Sequence, residues 1–163
     1  MHKIKIWAIL ATIGLIGLIQ VTMLDYISVL GVKPDFLLIS VIFFSLYFSK
    51  KDGIIAAILG GIFKDMTSTA LFGTYVFGFC LCALMLAQYG RHFYRRKIST
   101  QILLCGALYY IIAFIILFLN YAILKTPHAH IYTYHWIILK GSIYTGLISP
   151  LLIFILGRFF RNV

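Results

Sequence analysis

Glutamate is absent from this sequence, and four aspartates make up its whole acidic complement against 14 lysines and arginines. Charged residues account for 11% of the 163 residues, whereas a soluble domain keeps roughly a quarter charged to stay dissolved. With 63% hydrophobic residues, a soluble domain of this length would have to carry large apolar side chains on its outside. Lipid is the solvent that removes this conflict. Cysteine is also scarce: Cys80, Cys82 and Cys105 fall inside apolar runs, and Cys80 and Cys82, two apart on a helix, point different ways. Histidine at ligand spacing is missing beside them, so buried free thiols are expected and no metal site. No nucleophile-base pair, glycine-rich phosphate loop or zinc-helix motif occurs, which leaves an enzyme, a cofactor or a catalytic residue without support.

What is present is six apolar stretches, cut by charged and turn residues. Backbone polar groups find no partners in lipid, so each stretch must be a helix unless all close into a barrel, and the runs lack a barrel's alternation. An all-α polytopic membrane protein of six transmembrane helices follows, as one unit over residues 1–163 with no repeat or linker. The first run, Ile6 to Leu24, is too long for a signal-peptide core and is expected to remain in the mature protein. Pro34 to Ser49 is a shorter second span, with proline suited to a first helical turn and Asp35 complementing the helix N-terminus. Lys50-Lys51-Asp52-Gly53 leaves room only for a tight return, so the second and third helices should form an antiparallel hairpin. The third helix, from Ile54, meets Lys64-Asp65 after ten apolar residues, and either carries that charged pair into the bilayer or ends there. Leu71 to Tyr89, Ile102 to Leu124 and Trp136 to Leu156 complete the set, the last with Pro150 as an expected kink.

Orientation follows from the cations. With the N-terminus inside, the cytoplasmic segments hold Lys3, Lys5, Lys50, Lys51, Arg91, Arg95, Arg96, Lys97, Arg158 and Arg161. The other side holds Lys33, Lys64, Lys125 and Lys140. Both termini are therefore expected in the cytoplasm. The aromatics Tyr132, Tyr134 and Trp136 sit where amphipathic rings favour the outer interface.

Asp65 is the least expected residue, since insertion scales charge about 2.5 to 3.5 kcal/mol for an aspartate at the bilayer centre. Ala57, Gly61 and Asp65 recur every four residues, so two small residues share the face from which the carboxylate projects, and another helix can approach closely. Ala56, Gly60 and Lys64 form the stripe beside it. Lys64 and Asp65 are consecutive and do not face each other, which argues against a local ion pair. Two readings of Asp65 stand side by side: a polar contact that fixes packing or a partner site, and a surface carboxylate that caps the next element through Thr67, Ser68 or Thr74. A proton relay lacks partners, because Asp25, Asp35 and Asp52 flank spans. His128, His130 and His135 crowd one outer loop without a carboxylate or cysteine, so interfacial histidines are the ordinary outcome there. The loop Arg91-His92-Phe93-Tyr94-Arg95-Arg96-Lys97 mixes cations and aromatics, and fits an anionic lipid surface or an acidic cytoplasmic protein better than nucleic acid.

The stretch from Pro34-Asp35 through Gly60-Gly61, Asp65, Leu71, Phe72-Gly73 and Phe77 resembles the central signature of the MreD family. A proline-led helix there precedes a glycine-rich helix carrying an aspartate, then a Leu-Gly pair, which this chain interrupts as Leu71-Phe72-Gly73. The resemblance implies a multi-pass protein of the bacterial inner membrane that acts without catalysis, as a scaffold or regulator of cell-wall elongation. Its implied partners are MreC and, through it, the MreB filament, RodA and an elongation transpeptidase. On that resemblance Asp65, Gly61, Gly60 and Gly73 shape a packing or partner site, which the stripes on the third helix extend to Ala57 and Lys64, while Arg91, Arg95, Arg96 and Lys97 form the expected membrane or cytoplasmic contact. A competing class is the substrate-binding subunit of an energy-coupling vitamin transporter, whose fold the family's fold is expected to resemble. In that reading Ala8 and Thr12 meet a coupling partner, while Gln20, Asn120, Lys64 and Asp65 line a pocket.

Overall fold

The computed structural model describes residues 6–22, 32–90, 98–124 and 131–160, and the described residues are helical apart from short connections. Six helices fall where the six apolar stretches predict them: α1 (Ile6–Thr22), α2 (Phe36–Tyr47), α3 (Lys50–Thr67), α4 (Thr74–Met85), α5 (Ile98–Leu124) and α6 (Ile131–Phe160). A π-helical turn, Leu86–Gly90, prolongs α4. The sixth helix starts five residues earlier than the position of Trp136 predicts, so Lys140 lies well inside it.

Helix lengths decide the architecture. The 27 residues of α5 and 30 of α6 reach about 40 and 45 Å at 1.5 Å per residue, more than the roughly 30 Å of a bilayer's hydrocarbon. These two contain stretches long and apolar enough to cross a membrane, Ile98–Tyr121 and Tyr134–Phe160. By contrast, α2 has 12 residues and reaches only about 18 Å. It is also the most enclosed element: Leu37 to Ser45 are all buried, and α2 packs against α1, α3, α4 and α6. The second stretch is therefore a short central helix and not a full-length span.

The other helices surround it. α2 and α3 form the expected hairpin, but the return lies at Phe48-Ser49: Lys50 to Gly53, expected as the turn, open α3, and the Asp52 carboxylate accepts a hydrogen bond from the Ser49 backbone N–H at 3.1 Å. Gly53 permits this turn's closeness, since a Cβ there would lie 2.9 Å from the Ser45 Cα. α5 and α6 form a second hairpin, in which the Ser142 hydroxyl donates to the Gly106 carbonyl at 2.8 Å. A Cβ at Gly146 would approach the Ile102 carbonyl oxygen to 2.9 Å, so small residues set this spacing. Pro150 lies inside α6 and cannot donate to the Gly146 carbonyl four residues back. The Ser149 hydroxyl donates to that same carbonyl at 2.7 Å, and the helix continues.

At one end of the bundle, Phe44 and Phe48 meet Phe160, the last residue of α6, edgewise, and Phe43 meets it at a tilt. Outward, the bundle is apolar. Leu10, Leu15 and Leu18 on α1, and Ile143, Leu147, Leu151 and Phe154 on α6, are large and exposed. A surface of this kind is stable against lipid or a partner and not against water.

Candidate functional site

The short helices begin inside the bundle, and that is where its charges gather. The Asp35 side chain caps α2, accepting from the Leu38 N–H at 3.2 Å, and is only 5% exposed. Its backbone N–H donates to the Thr145 hydroxyl at 3.2 Å, and Thr145 stands at the middle of α6. The sequence places Asp35 at the flank of a span, whereas the structure sets it beside the midpoint of the longest helix. A 12-residue helix surrounded by longer ones must start at depth.

Burying that carboxylate requires compensation. Gln20, from α1, donates its amide to one Asp35 oxygen at 3.2 Å and accepts the Leu37 N–H at 3.0 Å. Lys64, from α3, reaches the other oxygen at 3.1 Å and also lies 5.6 Å over the Tyr75 ring. The Asp35–Lys64 pair joins positions 29 apart, and only the relative heights of two helices bring them together. Lys64 and Asp65 do point apart, as their adjacency predicts.

Asp65 is buried, at 4% exposure, and serves a neighbour. Its two oxygens accept from the backbone N–H groups of Tyr75, at 3.0 Å, and Val76, at 3.2 Å. These belong to the first turn of α4, whose four leading N–H groups have no partner within the helix. The residue in the usual capping position is Gly73, with no side chain to offer and φ of 95°, a conformation that favours glycine. A carboxylate from α3 thus replaces the missing cap, and its charge meets the positive end of the α4 dipole. The capping reading of Asp65 is correct in kind, but the groups capped differ from those expected. Thr67 and Thr74 hydroxyls bond back to local carbonyls, of Phe63 and Leu71 respectively, and Ser68 to the Asp65 carbonyl.

The contact depends on glycine. A Cβ on Gly61 would fall 2.5 Å from the Val76 Cα, which no real pair of atoms accepts. Gly61 therefore brings the α4 backbone within reach of Asp65 one turn further on, and the predicted small-residue face is the α3 surface that meets α4. Gly60 and Ala57 are buried, and a Cβ at Gly60 would touch Val41 of α2 at 3.3 Å. Asn120 completes the junction, its carbonyl oxygen accepting from the Leu71 N–H at 3.2 Å. All three aspartates among the described residues, Asp35, Asp52 and Asp65, thus accept from backbone N–H groups at or near helix starts.

A cavity of about 60 Å³ opens beside the Asp35–Lys64 pair, with Lys33, Tyr75, Tyr109 and Ile112 also on its walls. Vitamin-sized ligands take pockets of roughly 300 Å³ or more. The transporter reading gains no support from this cavity: of the residues expected to line a pocket, Lys64 is on its wall, while Gln20, Asn120 and Asp65 are each bonded within the fold. Thr12 bonds back to the Ala8 carbonyl at 2.7 Å, so its hydroxyl serves its own helix.

The remaining expected residues fall elsewhere. His135 is half-buried with its ring 5.9 Å from Phe114, while His128 and His130 lie outside the described residues. So do Arg91, Arg95, Arg96 and Lys97. The described cysteines are free; Cys82 and Cys105 are buried, and Cys80 is half-buried where full burial is expected. No group of three or more metal-ligating side chains occurs among the described residues.

No curated protein and no solved structure matches this chain. The family model for rod shape-determining protein MreD matches residues 1–163, the whole of the sequence, and the chain belongs to the MreD family.

Proposed function

We propose that this chain is a non-enzymatic scaffold of the bacterial cell-wall elongation machinery, embedded as a multi-pass protein in the plasma membrane. Its partner on this reading is MreC, and through MreC it links the MreB filament to RodA and an elongation transpeptidase. Membership of a family that determines rod shape, over the full sequence, is the observation that carries the proposal. On this reading the bundle spans the membrane with both termini in the cytoplasm and α2 enclosed within it, a topology supported by the sorting of lysine and arginine and by the apolar outer faces of α1, α5 and α6.

The chemistry of the interior favours a scaffold over a catalyst. Asp35, Asp52 and Asp65 are all engaged by helix N–H groups, so they hold elements in place. In this reading Ala57, Gly60, Gly61, Lys64, Asp65 and Gly73 fix α3 against α4 and thereby present a partner-docking face, without themselves touching the partner. Arg91, Arg95, Arg96 and Lys97 would meet anionic lipid or an acidic cytoplasmic protein.

Affinity capture of the tagged chain after gentle membrane solubilisation tests the proposal. A single-span MreC-type protein is expected in the eluate from wild type, and Gly61→Leu should lose it more than an exposed change such as Leu147→Ala. Capture of no such protein, or equal yields for both variants, would count against the scaffold reading.

A further inference from the structure

Lys140 is a cation at depth that the fold leaves alone. It lies on the outward side of α6, exposed, and among the described residues it has neither an ion-pair nor a hydrogen-bond partner. The contacts between α5 and α6 fix its height. Ser142 bonds Gly106 and the His135 ring meets that of Phe114, so Lys140 stands opposite about Leu108, near the middle of the apolar stretch Ile98–Tyr121. From Leu108, α5 runs 13 more residues to Tyr121, about 20 Å at 1.5 Å per residue, past the exposed rings of Phe114 and Phe118. A lysine stem spans about one helical turn, which does not carry the ammonium to that end. Lys64 shows what a lysine within the bundle requires, a carboxylate in contact, which Asp35 supplies at 3.1 Å.

We propose that the outward face of α6 around Lys140 docks a transmembrane helix of another protein, one that carries an aspartate or glutamate within its apolar span. The proposal deepens the scaffold reading and rests on its bilayer setting. Spacing is the first observation that selects this occupant. Trp136, Lys140, Ile143, Leu147 and Phe154 are exposed and follow one another at intervals of 4, 3, 4 and 7 residues, the heptad rhythm of a seam along which two helices pack. A single lysine in such a seam sets register and partner choice. Charge is the second. A copy of this chain meeting the same stripe about a two-fold axis would bring Lys140 against Lys140, whereas a carboxylate neutralises it. Lipid tails cover Ile143 or Leu147 as well as a helix does but offer nothing to the ammonium, so the ion pair and not any one apolar side chain carries the specificity.

The test uses the full chain in its own membranes, with a photo-crosslinking residue placed at Ile143 on the stripe or, as a control, at exposed Leu103 on α5. Illumination at position 143 should give an adduct with an apolar segment of another protein that contains an aspartate or glutamate, and position 103 should not give that adduct. Lys140→Met should lower its yield about tenfold or more, Lys140→Glu should abolish it and Lys140→Arg should keep it, since the pair lies away from water. Lys140→Glu combined with lysine in place of the partner's carboxylate should restore it. Melting of Lys140→Met in detergent should match wild type, because Lys140 holds no internal bond. Adducts at position 143 with lipid alone, with a second copy of this chain or with a segment lacking an acidic residue overturn the proposal, as does equal yield from wild type and Lys140→Met. Affinity capture scores the scaffold reading separately: an MreC-type protein in the wild-type eluate beside a failed crosslink overturns the docking proposal alone.

Discussion

Replacing Asp65 should separate hydrogen bonding from charge at the α3–α4 junction. Leucine at this position would leave the Tyr75 and Val76 N–H groups without their acceptor in an apolar surrounding. Each unpaired buried donor costs about 1 to 3 kcal/mol, so the pair costs about 2 to 6 kcal/mol before any gain from the added apolar surface. Loss of the carboxylate's favourable position at the helix N-terminus removes about 0.5 to 2 kcal/mol more. Asparagine keeps one acceptor oxygen, forfeits the charge, and turns its amide toward the second N–H. Its penalty should therefore be intermediate, about 1 to 3 kcal/mol. The assay is thermal loss of the monodisperse peak in detergent, run beside rescue of cell shape in a strain lacking the protein. The order expected in both is wild type, then Asp65→Asn, then Asp65→Leu. Identical melting of wild type and Asp65→Leu, or identical loss of rescue for the two variants, would refute the capping account.

Other expectations rest on separate contacts. Gly61→Ala should lower the yield of folded protein, because its methyl meets the Val76 backbone, while Gly14→Ala, with nothing within 4 Å, should leave yield unchanged. Singly, Asp35→Asn and Lys64→Met should each destabilise by up to about 3 to 5 kcal/mol, less where Lys64 retains exposure, and the double variant should recover part of the loss. A double-mutant cycle on melting temperature checks this, and simple additivity would argue against the pair. Ser149→Ala should cost about 1 kcal/mol by leaving the Gly146 carbonyl unpaired beside Pro150, readable as a small drop in melting temperature.

Much of the helix pattern was legible because apolar run length and charged interruptions are local signals. The α2–α3 hairpin and the opposed directions of Lys64 and Asp65 follow from spacing alone, although the return falls at Phe48-Ser49 and Lys50 to Gly53 belong to α3. So does the close-packing face through Ala57 and Gly61. The depth of Asp35 was not legible: it depends on α2 being enclosed by longer helices, and sequence supplies lengths without relative heights. For the same reason Gln20, Lys64 and Thr145 could not be placed around one carboxylate. The cap on α4 was half legible. Gly73 before an apolar run shows a helix start with no side-chain cap, but the donor of the missing oxygen sits on another helix. Gly106, Ser142 and Gly146 carry a usable signal as well, small residues on two adjacent long helices.

The account depends on a bundle that lies within a bilayer, with the Arg91 to Lys97 segment on the cytoplasmic side. Thiol labelling of intact cells measures this most directly, in a background with Cys80, Cys82 and Cys105 replaced and a single cysteine introduced at Thr69 or at Arg95. The account predicts that an impermeant reagent marks position 69 in intact cells and position 95 only after permeabilisation. Labelling of position 95 from outside would contradict it.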